Sequence, residues 1–93
     1  MCNSERLQNF LQRVISDSNL TTTHIGFCTA LAVAWTEQEF KNPFSISRRK
    51  LMGASKVKST STYHRIISDL KSLKYIEYNS SYHPKEASAV AIL

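Results

Sequence analysis

Residues 47–76, SRRKLMGASKVKSTSTYHRIISDLKSLKYI, decide how this 93-residue chain reads. Ser47 is a good N-cap, because its hydroxyl can accept a backbone N–H that the first helical turn leaves unpaired. Leu51, Met52 and Ala54 supply a short apolar face behind it. Gly53 and the segment 54–58 then interrupt the pattern, and Ser59 restarts it as a second N-cap followed by Thr60, Ser61 and Thr62. From there Tyr63, Ile66, Ile67, Leu70 and Leu73 recur at the spacing that places them on one face of a helix. The opposite face carries Thr60, Ser61, His64, Arg65 and Ser68, which can all form hydrogen bonds and are not needed for burial.

Two capped amphipathic helices joined by a short basic turn, over residues 47–73, are the layout of a helix-turn-helix. The second helix of such a unit lies in the major groove of DNA with its first turns against base edges. Beyond it, Tyr75, Ile76, Glu77 and Tyr78 form a β-favouring run, residues 79–85 are rich in turn formers, and residues 87–93 return to an apolar, strand-like stretch. Residues 75–93 therefore read as a hairpin, or wing. Upstream, Pro43 restricts the chain before a short strand at 44–46. The expected fold class is α+β, mainly α: a winged helix-turn-helix with an extra N-terminal helix, in a single domain spanning 1–93.

The pattern Ser59-x-x-Thr62-Tyr63-x-x-x-Ile67-x-x-Leu70-x-x-Leu73-x-Tyr75-Ile76 resembles the recognition helix and first wing strand of bacterial winged-helix regulators. Glu77-Tyr78 and Ser81-Tyr82-His83-Pro84 resemble, more narrowly, small winged-helix proteins encoded on bacterial mobile elements. One position departs from the pattern. Such families usually place Gly between the last helix and the wing strand, where the chain turns left-handed. This chain has Lys74, so either the turn differs or a non-glycine residue carries roughly 1 kcal/mol of strain.

The amino-terminal half has a different character. Leu7, Phe10, Leu11, Val14 and Ile15 lie at helical spacing behind Ser4, giving a helix within 1–18 that ends at the polar turn formers 17–19. A second helix is expected over 21–40. Its apolar residues, from Ile25 to Trp35, occupy nearly the whole circumference, the mark of a helix buried on more than one side. One face would pack on the rest of the core, and the first helix or a second subunit would cover the other, so a homodimer through the N-terminal helices is a possible assembly.

Charge is segregated along the chain. Residues 1–40 hold two basic against four acidic side chains, whereas residues 41–85 hold ten against two. A basic half that coincides with the expected helix-turn-helix is the electrostatic footprint of a polyanion partner. Double-stranded DNA is that partner in this reading. Arg65 and His64 would touch base edges with Thr60 and Ser61, and Ser68 lies on the same face. Arg48, Arg49, Lys56 and Lys58 would hold phosphates, and Ser80 with Lys85 would anchor the wing. Tyr82 and His83 could enter the minor groove or pack back on their own strands.

Other classes fit less well. His24 and Cys28 lie one helical turn apart, but no second ligand pair at metal-site spacing accompanies them, so core packing is the expectation and no metal or cofactor is. His64 has no neighbouring nucleophile, and Asp69 and Glu77 stand alone in the basic half, which argues against an enzyme such as a nuclease. Trp35 reads as core or dimer interface. Cys2 and Cys28 cannot form a disulfide framework, no apolar run approaches the ~18 residues of a membrane span, and no signal-peptide layout opens the chain, which together suggest a cytoplasmic setting. The function expected is sequence-specific DNA binding by a transcription regulator or mobile-element accessory factor. The alternative is a winged helix used as a protein-interaction module without DNA binding.

Overall fold

Helix formation in this chain is governed at both ends by local chemistry. The computed structural model describes residues 3–79 and 88–93, with the elements α1 (Asn3–Ser16), α2 (Thr22–Glu37), β1 (Phe44–Ile46), α3 (Arg48–Ser55), α4 (Thr60–Ser72), β2 (Ile76–Asn79) and β3 (Ser88–Ile92). The structure is mainly helical, with a three-stranded antiparallel sheet in the order β1-β3-β2. Thr21, Ser47 and Ser59 cap α2, α3 and α4, each side-chain oxygen accepting the N–H of the residue three positions on. The helix expected over 21–40 stops at Glu37.

Three helix ends share one device. Glu39 N–H donates to Thr36 O at 3.1 Å and Phe40 N–H to Trp35 O at 2.9 Å; the pairs Lys56 to Gly53 and Val57 to Met52, then Lys74 to Lys71 and Tyr75 to Leu70, repeat the pattern. These are Schellman closures, which require the first residue of each pair to be left-handed. Glu39, Lys56 and Lys74 have φ of 57°, 63° and 64°, and none is glycine. The residue that follows each one is apolar or aromatic and seals the end. Phe40 meets the Trp35 ring edge-on at 5.0 Å, while Val57 and Tyr75 are buried.

Helix α2 is the hub, burying Phe27, Cys28, Leu31 and Trp35 almost completely. Phe10 of α1 sets its ring edge-on to both Trp35 and Tyr75 at 6.5 Å, Trp35 stacks on Phe44 of β1, and Phe27 meets Tyr63 of α4 at 5.6 Å. Each such ring pair contributes roughly 0.5–1.5 kcal/mol beyond area burial. Helix α1 is also tied to the α4–β2 junction by polar bonds. Arg13 donates to Leu93 O and Lys74 O at 2.9 and 3.2 Å, and the Tyr75 hydroxyl lies 2.7 Å from Asp17 Oδ2 and 3.0 Å from Arg13 O. That hydrogen bond is the largest cause holding the Asp17 carboxyl below its usual range.

Several positions read as buried are not. Ile15 is 64 % exposed, because Phe10 and Val14 form the core-facing stripe of α1 and Ile15 lies about 100° around the helix from Val14. Val33 is 51 % exposed, so α2 is not covered all round. It borders an open groove of about 600 Å³ between α2 and α3, which Ala30, Ala34, Leu51 and the exposed Ala54 also line. Leu73, at the end of α4, is 37 % exposed.

The sheet is short, and two side-chain amides extend it. Strand β1 pairs Phe44 with Val90, a register that would place residue 42 opposite Ile92. Pro43 has no N–H with which to continue that ladder. The Asn42 amide substitutes for backbone there, donating to Ile92 O at 3.1 Å and accepting from Ile92 N–H at 3.0 Å. On the outer edge of β1 the Gln38 amide does the same for Ser45, at 2.6 and 3.0 Å. An edge whose N–H and C=O are already bonded is a poor template for another strand.

Candidate nucleic-acid interface

Helix α4 owes its orientation to the burial of one stripe. Tyr63, Ile66, Ile67 and Leu70 are at most 4 % exposed, so the opposite side of the helix must face solvent. Thr60, Ser61, His64, Arg65 and Ser68 all lie on that side and are exposed. The structure thus brings together the five residues expected to meet DNA from this helix. His64 lies beside Tyr63 with ring centroids 5.4 Å apart.

The turn before α4 is set by Val57. Its side chain is 6 % exposed, and its N–H closes the end of α3 on Met52 O at 3.0 Å. Lys56 and Lys58, on either side of this anchor, are both exposed. Helix α3 starts with Arg48, Arg49 and Lys50, exposed in its first turn behind the Ser47 cap. The fold therefore gathers basic side chains along α3, the turn and α4. The N-terminal turn of a helix already carries partial positive charge, so three basic residues there raise the local potential further.

Among the described residues no Lys or Arg side chain lies within 4.0 Å of an Asp or Glu carboxylate oxygen. Segment 47–73 holds seven basic side chains and a single acidic one, Asp69. Ammonium and guanidinium groups concentrated in one segment of a small protein sum to a field that attracts phosphate oxygens.

Asp69, the lone carboxylate of segment 47–73, takes its partner from outside the basic half. Its Oδ2 lies 2.8 Å from Nε2 of His24, a 7 % exposed residue of α2. The His24 ring is held from the other side as well, because Nδ1 accepts the Thr21 N–H at 3.1 Å and lies 2.7 Å from Thr21 Oγ1. A nitrogen that accepts an N–H carries a lone pair, so the proton sits on Nε2 and is donated to Asp69. Hydroxyl, imidazole and carboxylate line up here in the order of a nucleophile, base and orienting acid. In this setting the hydroxyl caps α2 and completes a capping box. No pattern along the chain links positions 24 and 69, and only the fold brings them together.

The His24–Cys28 pair is a poor metal site. Nε2 is occupied by Asp69, Cys28 is fully buried, and burial pushes its thiol up to about 12, so the thiolate a metal needs is disfavoured. Among the described residues no group of three His, Cys, Asp or Glu side chains can hold a metal ion. No helix among them is long and apolar enough to cross a membrane. Ser80, Tyr82, His83 and Lys85, the remaining residues expected to meet DNA, lie outside the described residues. No family model, curated protein or solved structure matches the chain.

Proposed function

We propose that this chain is a winged-helix protein that binds double-stranded DNA sequence-specifically, as a transcription regulator or an accessory factor of a mobile element. The observation that carries the proposal is the solvent face of α4, with Thr60, Ser61, His64, Arg65 and Ser68 exposed and flanked in sequence by basic side chains of α3 and the turn that have no Asp or Glu partner among the described residues. The element order supports it. Helix α3, turn and α4 are framed by β1 before and β2–β3 after, as in a winged helix. In this reading α4 enters the major groove, Arg65 and His64 with Thr60 and Ser61 read base edges, and Arg48, Arg49, Lys56 and Lys58 hold phosphates. The wing contacts of Ser80, Tyr82, His83 and Lys85 enter from the sequence alone.

The test is a fluorescence-anisotropy titration of a labelled random 20-base-pair duplex at two salt concentrations. With four phosphate contacts the logarithm of affinity should fall with the logarithm of salt at a slope of about −3.6, or roughly 50-fold for a threefold rise in salt. Selection from a random duplex pool then reveals the preferred site. Absence of binding at low salt overturns the proposal. It would favour the rival, a protein-interaction module, whose supporting observation is the open apolar groove beside Val33 between α2 and α3.

A further inference from the structure

Arg65 and Asp69 lie one helical turn apart on α4, the spacing at which opposite charges on a helix surface pair with each other. They do not pair here. Arg65 is exposed with no carboxylate within 4.0 Å among the described residues, and the Asp69 carboxylate bonds instead to His24 Nε2 on α2. The His24 ring cannot turn away from this contact without giving up its bond from Thr21 N–H, which holds it at the α2 cap. We propose that His24 is a specificity-supporting positioning residue: by engaging Asp69 it keeps the Arg65 guanidinium free for a base edge.

Three features of the site agree with that role. Asp69 is the sole acidic side chain between Ser47 and Leu73, so it is the carboxylate within this segment able to compete with DNA for Arg65. His24 is buried and the Asp69 side chain is 44 % exposed, so their bond is shielded from its imidazole end, whereas a pair between Asp69 and the exposed Arg65 would not be. The bond also engages the carboxylate from α2, an element outside the segment that carries the proposed DNA contacts. An arginine already paired with a neighbouring carboxylate must break that pair before it can make a bidentate bond to guanine.

The inference rests on the DNA-binding reading and is tested by a double-mutant cycle. Affinity is measured by anisotropy at low salt, on the duplex that the wild-type protein enriches from a random 20-base-pair pool. His24→Phe releases Asp69 and should weaken binding about two- to threefold, the scale of a helix-surface ion pair that DNA must now displace. Adding Asp69→Asn to His24→Phe should restore wild-type affinity, a rescue that mere loss of the α2–α4 link would not show. Asp69→Asn alone, with His24 present, should change affinity less than it does in the His24→Phe background. Equal effects of Asp69→Asn in both backgrounds overturn the proposal. Should His24→Phe not fold, long-range 1H–15N NMR of the wild-type imidazole decides, with the Nε2–H tautomer expected and an Nδ1–H tautomer overturning it. If the wild-type protein binds no duplex at all, the DNA reading falls and the role of His24 with it. If it binds and the cycle shows no coupling, only the role of His24 falls.

Discussion

Lys74→Gly is expected to stabilise the protein. Lys74 has φ 64°, is exposed, and contributes its backbone rather than its side chain to the structure: its N–H bonds Lys71 O and its carbonyl accepts from Arg13. A left-handed L-residue costs roughly 1–2 kcal/mol, and glycine removes that cost. Glycine in turn loses about 0.5–1 kcal/mol more backbone entropy on folding. The net gain is about 0.5–1 kcal/mol, which for a domain of this size raises Tm by roughly 2–8 °C. Urea unfolding followed by circular dichroism should show a higher midpoint with an unchanged slope. Lys74→Ala is the control, because it removes the charge and keeps the strain. If alanine stabilises as much as glycine, the gain comes from reduced charge repulsion; if glycine lowers the midpoint, residue 74 carries no strain to release.

Lys56→Gly should raise Tm by a similar amount and weaken DNA binding, since Lys56 combines a left-handed backbone with a proposed phosphate contact; a loss of Tm would refute the first half and an unchanged salt slope the second. Arg65→Ala should cost about 1–3 kcal/mol on the preferred duplex and less on random DNA, whereas Lys58→Ala should weaken both alike and flatten the salt slope by about one unit. If neither changes affinity at low salt, the basic surface does not bind DNA. Stability should also fall at alkaline pH. Burial, the largest cause for each, pushes Tyr63 and Tyr75 up to about 12, so the unfolded chain loses those protons first, and stability that is complete below pH 10 declines as the pH rises toward 12. Urea midpoints measured from pH 8 to 12 check this, and a flat profile would show that the two phenols titrate alike in both states.

The legible parts of this fold were those written in local pattern. The serines at 47 and 59 marked helix starts, the spacing from Tyr63 to Leu70 located a buried stripe, and Phe44–Ile46 was readable as a strand. Periodicity failed where it says only which residues share a face. It assigned Ile15 and Val33 to buried faces, but how far a neighbouring element covers a face is set by tertiary packing. The helix ends at Glu39 and Lys56 escaped notice because the expected signal, glycine, is absent; a polar residue followed by Phe40 or Val57 was the available clue. The Gln38 and Asn42 amides imitate strand backbone, a role no propensity encodes. At the candidate site the exposed face of α4 was visible in advance, whereas the His24–Asp69 bond joins residues 45 positions apart.

The unpaired cations have a consequence for stability that separates repulsion from binding. Seven basic side chains crowd residues 47–73 without an Asp or Glu partner among the described residues, and Asp69, the segment's one carboxylate, is bonded to His24. Such one-sided charge opposes the compact state through self-repulsion. Salt screens exposed charges over about 10 Å at 0.1 M, so the free protein should melt higher as salt increases. A DNA ligand present at 100 times its Kd adds about 2.7 kcal/mol of stability by mass action, and that increment shrinks as salt weakens binding. The two melting temperatures should therefore converge from opposite directions: free protein rising with salt, DNA-bound protein falling. Differential scanning fluorimetry over 20–500 mM salt, with and without a 20-base-pair duplex, reads both curves. A free-protein Tm that falls with salt would mean that attractive charge pairs dominate the surface, and coincident curves at 20 mM would mean that the duplex does not bind the folded protein.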